Sequence, residues 1–313
     1  MDEERLDQNT HDEPRAANHT PRAHTVGFIG VGVMGEPMCR NLKRKSGARV
    51  IAFDRDPAPL ERLRRDGVLV AASIGQAVEP AGVVFLSLPS GAAVDEVVHG
   101  KDGILSCIAA GQIVVDTSTS PVDLTRTLAR EFGERGATFI DAPVARTRAA
   151  AEAGTLAVSV GADEQTFERV RPLIASFASE ITLCGTVGCG QVVKILNNMV
   201  LFETVVAIAE AKAIGERAGV DPKLLFDALS KGSADSFALR NHGMKAIVPG
   251  VFPERAFSTD YALKDLSYAL ELAADAGIKI RGAELVGTIL QEAIDKGSKD
   301  NYFPVIAKHI DGA

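Results

Sequence analysis

Residues 26–35 read Val-Gly-Phe-Ile-Gly-Val-Gly-Val-Met-Gly and contain the pattern G-x-G-x-x-G at Gly30, Gly32 and Gly35. The pattern closes an apolar run that predicts a strand, and residues 34–45 predict a helix directly after it. In this setting the first glycine permits a tight turn, the second lets a pyrophosphate approach the backbone, and the third lets helix and strand pack closely. Amides at the helix start attract phosphates. The stretch predicts a dinucleotide site; the alternative is a glycine-rich turn of another α/β protein.

Asp54 ends the next predicted strand, 24 residues after Gly30, close to the spacing of about 20 for an acid that binds the adenosine ribose. A carboxylate there accepts hydrogen bonds from the ribose hydroxyls and repels a 2′-phosphate, which favours NAD over NADP. Arg55 follows directly and could bind a 2′-phosphate, so NADP stays open. Asp54 could also be a plain turn residue. Val31 and Met34 are expected to contact the cofactor beside the glycines.

The composition indicates a protein of two domains. The chain has 313 residues, of which 46% are hydrophobic and 24% charged, enough for two cores. The net charge of −7 disfavours nucleic acid as a partner. The cysteines are scattered without nearby histidines, so no metal site is expected. No apolar run is expected to span a membrane, and residues 1–23 are expected to form a disordered tail without a signal peptide. A cytoplasmic enzyme is the expectation.

Apolar runs alternate with amphipathic helical stretches from residue 24 to about residue 187. This alternation predicts a doubly wound, Rossmann-type parallel sheet with helices on both faces. From residue 188 to 313 the pattern is helical throughout, which predicts an all-helical domain for substrate binding and oligomerisation. The predicted strands are 25–30, 49–54, 82–88, 112–115 and 137–140, followed by 155–160 and 181–184.

Chemically notable residues follow several predicted strands. They lie in the segments 88–91, 116–119 and 141–147. Each segment could be a plain strand-to-helix turn. Because ligands bind at the carboxyl ends of parallel strands, the three segments together are expected to line one crevice with the glycine motif.

A helix of nearly 30 residues is predicted over 190–218, and it joins the two domains. Lys194 and Asn198 are four residues apart and therefore share one face. A lysine in a cleft can donate a proton to a carbonyl oxygen as hydride arrives, or accept it in the reverse reaction. An asparagine one turn on can hold the substrate hydroxyl. A solvated lysine in the first turn of a helix is the alternative.

With these residues the chain resembles the β-hydroxyacid dehydrogenase family, which includes 3-hydroxyisobutyrate dehydrogenase and tartronate semialdehyde reductase. The resemblance covers about residues 25–310. It rests on the glycine motif, Asp-Ala-Pro-Val at 141–144, Gly-Thr-Leu at 154–156, Gly-Cys-Gly-Gln-Val-Val-Lys-Ile-Leu-Asn-Asn at 188–198 and Lys-Asp-Leu at 264–266.

The resemblance implies roles for individual residues. Lys194 would be the catalytic acid and base, and Asn198 would bind substrate. Leu88, Pro89 and Thr119 would contact the cofactor, and Lys264 would reach the site from the helical domain. It also implies a homodimer or homotetramer.

One departure from the family concerns the substrate loop. Much of the family follows Asp-Ala-Pro-Val with Ser-Gly-Gly, whereas this chain has Ala145, Arg146 and Thr147. A Gly-Arg-Thr triplet there is similar to that of 3-sulfolactaldehyde reductase, where it holds a sulfonate. Arginine offers several donors to an oxyanion, and threonine adds a hydroxyl. With Asn197 these residues are the expected substrate contacts. Arg146 could instead be a surface arginine like Arg148.

The sequence thus predicts an NAD-dependent oxidoreductase that interconverts a hydroxyl and an aldehyde or ketone on a small anionic compound of three or four carbons. 3-Sulfolactaldehyde is the favoured substrate. One alternative is a carboxylate-specific enzyme of the 3-hydroxyisobutyrate, tartronate semialdehyde or threonate type. Another is a non-catalytic dinucleotide-binding redox sensor, against which the pairing of Lys194 with Asn198 argues. Neither nucleic acid nor membrane is an expected partner.

Overall fold

The computed structural model describes residues 24–254 and 256–310. The tail predicted at residues 1–23 lies outside the described residues. Two parts follow each other along the chain, an α/β part and a helical part, and the predicted fold class is confirmed.

The α/β part is built on one sheet with the order β3-β2-β1-β4-β5-β6-β8-β7, and β9 pairs with β8. The strands from β3 to β6 are parallel, as predicted. The strands are β1 (Thr25–Ile29), β2 (Arg49–Phe53), β3 (Leu69–Val70), β4 (Val83–Leu86), β5 (Ile113–Asp116), β6 (Thr138–Asp141), β7 (Val144–Ala145), β8 (Leu156–Gly161) and β9 (Ala178–Gly185).

The predicted parallel arrangement does not extend to one end of the sheet. Strand β8 runs antiparallel to both β6 and β7. Only the ten residues 146–155 separate β7 from β8, and a parallel crossover needs about a dozen or more. The chain therefore turns back through a short helix, and the substrate loop lies at this reversal.

Helices cover both faces of the sheet, because neighbouring residues of each strand enter different cores. In β4, Phe85 packs in one hydrophobic cluster, while Val84 and Leu86 pack in another. Five of the seven helices begin with an aspartate, serine or threonine whose side chain accepts a backbone amide, a strong start signal. The helices are α1 (Gly35–Lys45), α2 (Pro57–Arg65), α3 (Ile74–Val78), α4 (Gly91–His99), α5 (Val122–Glu134), α6 (Arg148–Ala153) and α7 (Glu164–Ile174).

The helical part is organised around α8 (Cys189–Arg217), and its length confirms the predicted spine. Helix α8 packs against β8 on one side and against later helices on the other. The segment Leu239–Ile247 is a π-helix, and Phe303–Lys308 is a 3₁₀ helix. The other helices are α9 (Pro222–Leu229), α10 (Thr259–Asp275) and α11 (Arg281–Ala293).

The expectation that no apolar run reaches membrane-spanning length is wrong for α8. This helix is long and apolar enough to cross a membrane by length and composition, with a mean hydropathy of 1.7 over its most apolar window. Its residues Phe202, Val205 and Ile208 are buried in the core of the helical part. The apolar character of α8 is therefore used in the core of the helical part.

Candidate active site

A cleft of about 1200 Å³ separates the carboxyl ends of the strands from the helical part. Pockets for a single small molecule typically measure about 300–1,000 Å³, so this cleft has room for a cofactor and a substrate together. All predicted site residues except Val31 line it. The glycine motif, the strand-end loops and α8 thus meet at one place.

The glycines of the motif form a cradle at the start of α1. Gly30 has φ +88°, and a Cβ on it would lie 2.3 Å from the Ser87 carbonyl oxygen. A Cβ on Gly35 would lie 2.0 Å from the Gly30 oxygen. Gly32 differs, because a Cβ there would meet nothing within 4 Å. The fold itself requires Gly30 and Gly35, whereas Gly32 leaves open the space that a diphosphate needs beside the helix amides.

Asp54 lies at the rim of this cradle and is held in place by the backbone. Its Oδ2 accepts a hydrogen bond from the Val31 amide (2.6 Å), and its Oδ1 accepts one from the Asp56 amide (2.8 Å). The Val31 amide is therefore occupied by a hydrogen bond within the protein, and the side chain of Val31 is buried. Arg55 forms an ion pair of 2.7 Å with Glu96, and both side chains are exposed. The carboxylate is thus held in place beside the glycine cradle.

The loop after β4 joins the cradle to the helical part. The Leu88 amide donates to Ser118 Oγ (2.9 Å), and Lys264 Nζ donates to the Pro89 carbonyl oxygen (3.1 Å). Thr119 lines the cleft beside this loop. Lys264 therefore bridges α10 to the loop that was predicted to contact the cofactor.

A hydrogen-bonded chain of side chains crosses the cleft at α8. Lys194 Nζ donates to Asn198 Oδ1 (3.0 Å), which also accepts from Asn197 Nδ2 (3.2 Å). Asn198 Nδ2 donates to Asp265 Oδ2 (2.7 Å). Asp265 Oδ1 lies 2.8 Å from Lys264 Nζ. The amide of Asn198 thus holds Lys194 on one side and a buried carboxylate on the other.

The surroundings of Lys194 favour its neutral form. Burial lowers the pKa of its ammonium, Asp265 opposes this effect, and the positive charge of Lys264 lowers the pKa further. A lysine whose pKa is moved towards neutrality can exchange a proton with a substrate oxygen more readily than a solvated lysine can. The alternative of a solvated lysine does not describe this half-buried side chain.

Asp265 is the main site residue that sequence reasoning missed. It lies on the buried face of α10 with Ala262, Leu266 and Ala269. An acid at a position where helical periodicity predicts an apolar residue was the available signal. Such an acid needs partners, and here they are the amide of Asn198 and the ammonium of Lys264.

A second buried acid seats α8 on the sheet. Asp141, at the end of β6, accepts hydrogen bonds from the backbone amides of Gly188 and Gln191, each at 2.7 Å. The Gln191 side chain bonds in turn to the backbone of the loop between β5 and α5. Burial raises the pKa of Asp141 to about 6. These contacts fix the first turn of α8, one turn before Lys194.

The substrate loop has an unusual backbone at Arg146. Its φ is +85°, and no other non-glycine residue that the structure describes has a positive φ. The exposed guanidinium donates to the Thr155 carbonyl oxygen (2.6 Å) and to Ser179 Oγ (3.1 Å). Thr147 Oγ1 accepts from the Ala150 amide and caps α6. The side chains of Arg146 and Thr147 both lie on the cleft wall. Each forms its hydrogen bonds with other residues of the protein.

Comparisons with known proteins cover nearly all of the described chain. Residues 25–186 match the model described as the NAD binding domain of 6-phosphogluconate dehydrogenase. Residues 188–310 match the model described as NAD-binding of NADP-dependent 3-hydroxyisobutyrate dehydrogenase. The mitochondrial 3-hydroxyisobutyrate dehydrogenase of Mus musculus is 33% identical over 302 residues, covering 94% of this chain and 88% of that protein.

The chain belongs to the β-hydroxyacid dehydrogenase family. The 2-hydroxy-3-oxopropionate reductase of Escherichia coli is 35% identical over 253 residues, covering 79% of this chain and 84% of that protein. The solved structure of 3-hydroxyisobutyrate dehydrogenase from Mycobacterium tuberculosis with L-serine has a TM-score of 0.83 and 32% identity, covering 92% of this chain and 99% of that one. This protein is accordingly an NAD(P)-dependent dehydrogenase that acts on CH–OH groups.

One wall of the dehydrogenase's cleft comes from the helical part and was not predicted. His242 and Tyr302 line it, and His242 Nδ1 shares a hydrogen bond with the Tyr302 hydroxyl. Burial lowers the pKa of His242 to about 4 and raises that of Tyr302 to about 12. Phe237 and Phe303 pack against the imidazole, with ring centroids at 6.1 and 5.4 Å. The pair is therefore uncharged at neutral pH, and the buried ring of Phe303 packs against both of its members.

Proposed function

We propose that this dehydrogenase interconverts a primary hydroxyl and an aldehyde on a small organic anion, with Lys194 as proton donor and acceptor. The observation that carries the proposal is the position of Lys194 Nζ, which lines the same cleft as the glycine cradle and rests 3.0 Å from Asn198 Oδ1. The lowered pKa of this lysine supports the assignment. A sensor that only binds a dinucleotide needs no such group.

A nicotinamide cofactor held by the glycine cradle and Asp54 would supply or accept the hydride. In the direction of reduction, the carbonyl carbon gains the hydride and its oxygen gains a proton from the Lys194 ammonium, which becomes neutral. In oxidation the neutral amine removes the hydroxyl proton. Asn198 orients the lysine, and the negative charge of Asp265 favours the ammonium form of Lys194. The lysine then exchanges its proton with water.

We further propose that Arg146 binds the anionic head of the substrate and that the head is a sulfonate. A non-glycine residue in the left-handed region carries a backbone cost of the order of 1 kcal/mol or more, which glycine at this position would avoid. The presence of an arginine in spite of this cost supports a role for its charge. Its guanidinium would exchange the neutral acceptors Thr155 and Ser179 for an oxyanion, a stronger partner.

A carboxylate head is the second candidate. It is favoured by the relatives, whose names refer to 3-hydroxyisobutyrate and 2-hydroxy-3-oxopropionate. Initial rates of NADH oxidation with 3-sulfolactaldehyde and with a carboxylate aldehyde of the same length distinguish the two. A higher kcat/KM for the sulfonate aldehyde supports a sulfonate head. A higher kcat/KM for the carboxylate aldehyde supports a carboxylate head instead.

Replacing Arg146 by glycine should raise KM for the preferred anionic aldehyde about tenfold, because an exposed charge-assisted hydrogen bond contributes about 1.5 kcal/mol. Glycine also relieves the positive φ, so the melting temperature should not fall. Arg148→Ala is the neighbouring control, since Arg148 also lines the cleft but has an ordinary negative φ and forms an exposed ion pair with Glu152. Steady-state kinetics of both variants decide the matter. Equal KM values in the two variants would remove Arg146 from substrate binding.

The carboxylate of Asp54 should give NADH a higher kcat/KM than NADPH. The substitution Asp54→Asn should lower the ratio of these two kcat/KM values about tenfold. The reason is the repulsion between two anions a few ångströms apart. Asp56→Asn is the control, because Asp56 caps α2 and does not line the cleft. The ratio of kcat/KM for the two cofactors is the measurement. A wild-type preference for NADPH would show that Arg55 determines the choice.

A further inference from the structure

The His242–Tyr302 pair has hydrogen-bonding capacity that the protein does not use. His242 is 6% exposed and lines the cleft. Its Nδ1 bonds to Tyr302, while its Nε2 has no partner among the residues that the structure describes. Nε2 is not among the fully buried side-chain atoms that lack a partner in the described residues, so it is open to the cleft and can bond to a ligand there. A few polar groups in a mostly apolar wall typically fix the orientation of a ligand, and the free ring nitrogen therefore indicates a hydrogen-bonding group on the ligand.

The chemistry of that ligand group follows from the two arrangements of the shared proton. If the tyrosine donates to Nδ1, then Nε2 carries a hydrogen and the phenol oxygen keeps free lone pairs. If Nδ1 donates to the phenol oxygen, then the tyrosine hydrogen is free and Nε2 is an acceptor. In both cases the pair offers one donor and one acceptor. An alcohol hydroxyl, which is itself a donor and an acceptor, matches both.

An ionic group is a poor match for this wall. Both members of the pair are neutral at neutral pH, and the rings of Phe237 and Phe303 pack against the imidazole. A carboxylate or ammonium here would lose water without gaining an opposite charge. A methyl group would fit by size but would leave both polar atoms unpaired, which a buried site penalises.

We propose that His242 and Tyr302 form a subsite for a neutral hydroxyl on the carbon next to the reacting one, so that the enzyme prefers hydroxyl-bearing over alkyl-bearing substrates. This rests on the proposed function. In glycerate and in 2,3-dihydroxypropane-1-sulfonate, the carbon next to the terminal CH₂OH group carries such a hydroxyl.

The test is binding of two isosteric pairs to the enzyme–NADH complex, measured by calorimetric titration. Glycerate and 3-hydroxyisobutyrate differ by a hydroxyl in place of a methyl, as do 2,3-dihydroxypropane-1-sulfonate and 3-hydroxy-2-methylpropane-1-sulfonate. Within the pair whose head binds better, the hydroxyl compound should bind at least about tenfold more tightly. In His242→Phe and in Tyr302→Phe this ratio should fall below about threefold.

His309→Phe is the matched control, because His309 bonds to Ser298 and does not line the cleft; it should keep the wild-type ratio. Two results would overturn the subsite: wild type binding both members of each pair equally, or both cleft variants keeping the ratio. Should His242→Phe fail to fold, Tyr302→Phe decides alone. If the ratio holds but no compound is oxidised with NAD⁺, the proposed reaction fails and the subsite stands.

Discussion

Lys194→Ala is expected to lower kcat by about 10²- to 10⁴-fold, the usual contribution of a general acid or base. The dissociation constant for NADH should change by less than about twofold, because Lys194 belongs to α8 and not to the glycine cradle. Removing the ammonium leaves the carbonyl oxygen without a proton donor as the hydride arrives. The substitution thereby separates catalysis from cofactor binding.

Steady-state kinetics and a fluorescence titration of NADH measure the two effects. Lys212→Ala is the control, since Lys212 lies on the same helix and pairs with Glu216 (2.7 Å) away from the cleft. It should keep nearly full activity. If Lys194→Ala retained more than about a third of the wild-type kcat, a group with a contribution of this size would have to lie elsewhere.

Gly190→Ala is expected to lower the free energy of unfolding by about 3 kcal/mol, at the upper end of overpacking effects. A Cβ on Gly190 would lie 2.4 Å from the Ser159 oxygen, 2.7 Å from Asp141 Oδ2 and 2.9 Å from the Gly161 amide nitrogen. None of these atoms is the free end of a flexible side chain. The first turn of α8 would have to lift off the sheet and carry Lys194 with it.

Gly133→Ala is the matched control because it is the same change in a helix. A Cβ on Gly133 in α5 would meet nothing within 4 Å, so this variant should gain up to about 0.5–1 kcal/mol. Urea denaturation of both variants gives the two values. A Gly190→Ala protein as stable as wild type would mean that the close contact between α8 and β8 is not required.

The parts of the fold that follow from periodicity could be read from the sequence. Strands β1, β2, β4, β5 and β6 begin and end within two residues of their predicted positions, because each is a short apolar run bounded by turn residues. The two-residue strand β3 and the five-residue helix α3 were not predicted. They are too short to show a period.

The relations between distant residues could not be read from the sequence in the same way. Asn198 and Asp265 are 67 residues apart, and only the packing of α10 against α8 brings their side chains to 2.7 Å. The pairing of His242 with Tyr302 depends likewise on the fold of the helical part. At Arg146 the sequence indicated a cation. The positive φ of this residue and its hydrogen bonds to Thr155 and Ser179 depend on the tertiary structure and could not be predicted.

The most direct test of the central claim is one titration followed by one assay on the same purified protein. NADH binding is measured first, and NADH oxidation is then followed with sulfonate and carboxylate aldehydes of three and four carbons. We expect saturable binding and saturable turnover with at least one of these aldehydes. Tight binding of NADH without turnover of any of them would contradict the account and leave a dinucleotide-binding protein without this activity.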